Sequence, residues 1–265
     1  FDVSEFIPLW QRRLTTDGWK QWVCTMTKTA YTQIQEGVPV DQLGGNSNAM
    51  AIRYASAFAY YNTEEELVDA ARKTMFTHRE RTAHLGNDFF ARVAHRIIHD
   101  NQRQQLTPTQ AIKEVAKESD AWIQNKVKQA LDKVEEATDP NKELSKEEFV
   151  DDLALTSFAR LWEVGKTEPI KVGKASPTEG TLPGSIYFIV KYEHSLVDAA
   201  KANAMVGGDN ASRSIAVGMV LGAYHGVNSI PVRFRDNLNQ WNSSMELMET
   251  FPLLKSSEDG HAGEL

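Results

Sequence analysis

The residues best placed to do chemistry lie in two glycine-containing turns, each running into an apolar stretch. The first is Val206-Gly207-Gly208-Asp209-Asn210-Ala211-Ser212-Arg213. Paired glycines let the backbone turn sharply and approach another group closely. Asp209 then falls at a helix N-cap, with Ser212 one turn later, so that both side-chain oxygens converge above the helix end. A plain turn closed by a cap satisfies the same pattern. The second is Leu43-Gly44-Gly45-Asn46-Ser47-Asn48-Ala49-Met50. Backbone N–H groups at a helix start favour a phosphate or pyrophosphate. The alternative is an N-cap by Asn46 or Ser47.

Other candidates are weaker. His95 and His99 would share a helix face, as a zinc pair would, but no third ligand stands at a useful spacing, and a solvated polar face is the expectation. His78 and His84 flank a charged tripeptide; either a cleft or a surface role suits His78. Asp151-Asp152 reads as a helix-start feature without a partner. Cys24 has no base nearby in sequence, so a nucleophilic role is unsupported. Trp19 and Trp22 read as core or helix contacts.

Helical periodicity dominates the elements that must position these residues. Helices are expected from Phe6 to Leu14, from Trp19 to Ile34 with a stop at Gly37 and Pro39, and as a buried apolar helix from Ala49 to Tyr61. Thr63 with Glu66 predicts a capping box for the next. Further helices are expected over Phe89–Ile98, Thr109–Lys117, Ala121–Ala137, Ser195–Met205 and Asp209–Tyr224. Lys166 to Pro183, with Pro169, Pro177 and Pro183, reads as a long irregular loop or flap. Ser185–Glu193 is ambiguous between helix and strand. Gly218, Gly222 and Gly226, spaced by four, form a ridge on which another helix could pack closely. No strand pattern or internal repeat recurs, so one all-α domain over residues 1–265 is the simplest organisation.

The 265 residues carry a net charge of −7, with 41% hydrophobic and 25% charged content, as in an ordinary globular protein. Net negative charge disfavours nucleic acid and anionic membranes. A lone cysteine excludes an internal disulfide and fits a reducing, intracellular setting. No apolar run is long enough to cross a bilayer, and no signal peptide is read.

Taken together and in this order, the two turns resemble those of the ADP-ribosylglycohydrolase superfamily. Members carry a Gly-Asn-Gly-x-Ala-Met-type loop, matched here by Gly45-Asn46-Ser47-Asn48-Ala49-Met50. A Thr-His pair follows, here Thr77-His78. Later comes a Gly-Gly-Asp-Thr-Asp-Thr turn, a helix with a small-residue ridge and a Pro, here Gly207–Ser212, Gly218–Gly226 and Pro231. The likeness is good over residues 1–99 and 186–231 and weak between them. It implies an orthogonal all-helical bundle whose cleft holds two Mg²⁺ ions and an ADP-ribose group.

The carry-over is partial. The first Asp of the turn is Asp209, the second falls on Ala211, and the last hydroxyl is Ser212. The family's N-terminal Thr-Asp-Asp segment has no counterpart, and an upstream segment is expected to be missing. Mg²⁺ prefers octahedral oxygen ligands including one or two carboxylates, so Asp209 and Ser212 make a degenerate metal site. Arg213 is the candidate to replace some of that charge by pairing with Asp209 or an anion. The variant turns resemble the branch containing jellyfish crystallins. The resemblance therefore implies a non-hydrolytic or weakly active protein with a structural, assembly or nucleotide-binding role. ADP-ribose would sit at Gly45, Asn46, Ser47, Asn48, Met50 and His78; a protein complex or homo-oligomer is a further expectation. The alternative is an active Mg²⁺-dependent ADP-ribosyl hydrolase whose other ligands lie before Phe1.

Overall fold

A computed structural model of the chain describes residues 1–16, 22–44, 53–100, 106–161, 165, 167–168, 170–171 and 173–255. Within them the fold is all-α. The helices are α1 (Val3–Leu14), α2 (Thr25–Gln35), α3 (Glu64–Lys73), α4 (Arg81–Ile98), α5 (Pro108–Glu118), α6 (Ala121–Thr138), α7 (Val150–Thr156), α8 (Thr178–Lys191), α9 (Leu196–Val206), α10 (Asn210–His225), α11 (Val232–Asp236), α12 (Trp241–Met248) and α13 (Pro252–Lys255). The described strands are two dipeptides, Arg160–Leu161 and Ile170–Lys171, paired antiparallel.

Several helix starts follow directly from local chemistry. Thr63 Oγ1 accepts from the Glu66 N–H and also donates to the Glu66 carboxylate. Thr107 and Gln110 cap α5 reciprocally, with Pro108 at its first position, where a missing N–H costs nothing. Ser195 caps α9 and Asp209 caps α10.

Helix α8 lies at the centre, packed on α6 and α10, while α4 packs on α3, α5 and α10. Every residue from Gly180 to Ile189 is buried. A helix apolar on all sides has no polar stripe, which is why its Ile-Tyr-Phe-Ile-Val run carries no decisive period. The expected irregular segment up to Pro183 is therefore corrected: α8 begins at Thr178 and contains Pro183. Gly180 permits the close approach of residue 173, since a Cβ there would come within 2.6 Å of the Gly173 carbonyl oxygen.

Four further expectations fail. Within Ala49–Tyr61 the described part forms only a short 3-10 turn, Ala55–Ala59, and Tyr60 is exposed. Its shape follows tertiary contacts instead: the turn packs on α3, and the buried Tyr54 at its start donates its hydroxyl to Asn87 O at 3.0 Å. Trp22 is 85% exposed and precedes α2, which starts at Thr25, so it is no core residue; Trp19 lies outside the described residues. Asp151 is not partnerless. It accepts from Tyr187 Oη at 2.7 Å, from Tyr192 Oη at 2.6 Å and from Lys191, tying α7 to α8. The glycine ridge of α10 and its C-cap carries no close helix among the described residues: a Cβ at Gly218, Gly222 or Gly226 would meet none of them within 4 Å.

His95 and His99 also differ from a solvated face. His95 is 9% exposed, its Nε2 lies 3.0 Å from the Asn62 carbonyl, and the two rings stand 4.2 Å apart. They join the α3 entrance to α4.

Candidate functional site

The Asp209 turn is assembled from the ends of α9 and α10 and the segment before α8. Gly207 and Gly208 adopt φ of 71° and 67°, a region closed to most side chains. The Asp209 N–H donates to Lys174 O at 2.8 Å, and a Cβ on Gly208 would collide with that same carbonyl. The turn is thus pressed onto residue 174. The Asp209 carboxylate receives the Ser212 N–H at 3.2 Å on one oxygen and the Ser212 hydroxyl at 2.9 Å on the other. Both residues converge above the end of α10, where an acidic group also suits the helix dipole.

Arg213, one residue on, points into the protein and is fully buried. Its Nε donates to Asn203 Oδ1 at 2.7 Å, Nη1 to Lys174 O at 3.3 Å and Nη2 to Gly207 O. The Arg213 backbone N–H donates to Asp209 O at 3.4 Å, but among the described residues no hydrogen bond or ion pair joins the guanidinium to the Asp209 carboxylate; its bonds go to neutral acceptors. Burial pushes its pKa down to about 10, partly offset by the nearby Asp209 charge, and it stays protonated at neutral pH. Asn203 completes the knot, donating to Asn210 O and Ser214 Oγ.

The second group lies between α3 and α4. Thr77 is fully buried and His78 nearly so. Thr77 Oγ1 is 2.8 Å from His78 Nδ1 and receives Arg53 Nη2 at 2.7 Å. His84 Nε2 contacts His78 O at 2.8 Å and fixes its backbone. Burial, with the Arg53 charge and His84, pushes the His78 pKa down to about 4, so the ring is neutral at pH 7. Gly44, at φ 87°, enters from the other side: a Cβ there would stand 2.8 Å from the Phe76 oxygen and the Thr77 carbonyl carbon. The entrance to the expected phosphate loop therefore packs on the Thr-His pair. Gly45, Asn46, Ser47, Asn48 and Met50 themselves lie outside the described residues.

No hydrogen bond or ion pair among the described residues joins the Thr77–His78 group to the Asp209 turn. Sequence reasoning passed over Arg53, the one charged residue in the apolar run from Ala49 to Tyr61; a cation in such a run is the signal that could have found it. Asn203 gave no such signal.

Among the described residues the donor set does not fit a pair of divalent ions. Asp209 is the single carboxylate of its turn, and both its oxygens are engaged by Ser212. Among the described residues no three His, Cys, Asp or Glu side chains converge as metal ligands.

The described residues are thus almost entirely helical, with a Thr-His pair in one connection and a Gly-Gly-Asp turn capping a later helix. The family model for ADP-ribosylglycohydrolase matches residues 1–260, and the chain belongs to that family. No curated protein matches the sequence at a significant level. Among the described residues no helix is long and apolar enough to cross a membrane.

Proposed function

We propose that this chain is a non-hydrolytic or weakly active ADP-ribosylglycohydrolase-fold protein, of the crystallin-like kind, that retains a site for ADP-ribose or a related nucleotide and serves a structural or ligand-binding role. One observation carries this reading. The Asp209 carboxylate is spent on the N-terminus of α10, and the ground beneath the turn is filled by the Arg213 guanidinium. A cation of the protein's own thus holds the carbonyls of residues 174 and 207. Two Mg²⁺ ions would need several carboxylate ligands that this turn lacks. The family membership and the junction of Gly44 with Thr77 support nucleotide binding near His78.

Calorimetry with ADP-ribose, with and without Mg²⁺, tests the reading. Binding that does not depend on Mg²⁺, without release of ribose product, is the expected result. Tight binding only with Mg²⁺, accompanied by hydrolysis, would favour an active hydrolase instead. No binding under either condition would leave a purely structural role.

A further inference from the structure

We infer that the cavity between α4 and the junction of α5 with α6 binds a free amino acid with an apolar side chain. None of its walls belongs to the Thr77–His78 group or to the Asp209 turn, so the inference stands apart from the nucleotide reading. The cavity measures about 300 Å³, the lower end of the range for small-ligand sites. Its walls carry both signs of charge. Arg72 comes from α3, Asp88 and Arg92 from α4, and Glu118 and Asp120 from the α5–α6 junction. Leu85, Phe89 and Ile123 add an apolar surface.

The charges of this cavity are bonded on one side only. Arg72 gives Nε at 2.6 Å and Nη2 at 2.5 Å to the same oxygen of Asp88, Oδ2. The other oxygen, Oδ1, has no hydrogen-bond partner, in a residue that is only 7% exposed. A buried carboxylate oxygen without a donor is costly, and such atoms are normally matched. Asp88 is part of the cavity wall, so a donor seated there lies against its carboxylate. The remaining charges are held from outside the cavity: Arg92 by Glu64, Glu118 by Arg96 and Asp120 by Arg81. Arg92 makes its bond through Nη1, and the rest of its fork has no bond among the described residues. The walls therefore lack a donor at Asp88 and an acceptor at Arg92. A simple anion would face the carboxylates of Asp88, Glu118 and Asp120, and a simple cation the guanidiniums of Arg72 and Arg92; each is repelled by like charge. A zwitterion satisfies both. Its ammonium meets Asp88, and its carboxylate meets the Arg92 fork, whose planar shape suits it. Leu85, Phe89 and Ile123 give an aliphatic side chain a place out of water.

Leucine is the direct probe, titrated by calorimetry into the whole chain beside leucinamide, which lacks the carboxylate, and N-acetylleucine, which lacks the ammonium. Leucine is expected to bind, each derivative at least about tenfold more weakly, and leucine less well as salt is added. Asp88→Asn keeps an oxygen for Arg72 and should weaken leucine about tenfold while leaving N-acetylleucine unchanged. Arg92→Gln should do the converse, weakening leucine and sparing leucinamide. Ser119→Tyr, at the cavity wall, adds bulk without touching an ion pair and should abolish leucine binding with unchanged helical circular dichroism, which keeps the test decisive if a charge variant misfolds. No leucine binding to the unaltered chain at millimolar concentration overturns the assignment. So does binding of leucine that Ser119→Tyr leaves intact, or equal affinity for leucine and both derivatives.

Discussion

Arg213 shows how one side chain changes the meaning of a turn. A buried guanidinium costs desolvation energy unless it is bonded on all edges, and here it meets Asn203, Lys174 and Gly207. Arg213→Met preserves much of the volume but strands these acceptors in the interior. It is expected to destabilise the fold by about 3 kcal/mol, read as a lower urea midpoint at an unchanged slope. Unaltered stability would mean that the guanidinium is not the turn's clamp. His78 makes a second prediction at this scale. Its native pKa of about 4 lies below the unfolded value near 6.5, so the unfolded chain binds the proton more readily. Its contribution is present in full above pH 6.5, is lost as pH falls toward 4, and changes no further below that. The loss reaches about 3 kcal/mol at most, and His78→Asn should flatten the stability curve in that window.

The glycines separate helices that touch from helices that do not. On α10, Gly218 and Gly222 have open space where a Cβ would go. Each Gly→Ala change there should stabilise the monomer by about 0.5–1 kcal/mol through backbone entropy and helix propensity. A fall in thermal midpoint for both variants would show that the ridge is covered by something in solution. Gly208→Ala should do the opposite, because φ is 67° and the Cβ would strike the Lys174 carbonyl; a loss of several kcal/mol is expected in denaturant unfolding. At the entrance to α5, Thr107→Ala removes a reciprocal cap and should cost about 1 kcal/mol by the same measurement.

Across the whole molecule, acid should unfold the protein in two stages. The first, between pH 6.5 and 4, belongs to His78; His99, whose pKa is lowered by partial desolvation and by the neighbouring His95, adds in the same direction below the ordinary histidine value. The second, at lower pH, belongs to carboxylates held below their usual range. Asp151 is one: burial pushes it up, but its bonds from Lys191, Tyr192 and Tyr187 outweigh that. Its stabilisation is present above the ordinary carboxylate pKa and is lost as pH falls through the lowered native one. A pH series of urea midpoints resolves the stages, and Asp151→Asn should remove part of the second alone. Because Asp151 joins α7 to the central α8, its loss should lower the global midpoint rather than fray one end.

Much of this was written locally. The 3.6-residue period located most helices, and Asp209 and Thr63 marked their own caps. These are short-range matters: a cap or a period depends on a few neighbouring residues. Tertiary packing decided what those residues do. It turned the Pro-rich approach to α8 into the middle of the core, left the glycine ridge bare, and gave the partnerless-looking Asp151 two tyrosines and a lysine. It also turned Arg213 inward and left Arg53 one donor short. Burial and the supply of hydrogen-bond partners come from residues distant in sequence, and no local pattern records which of them arrive.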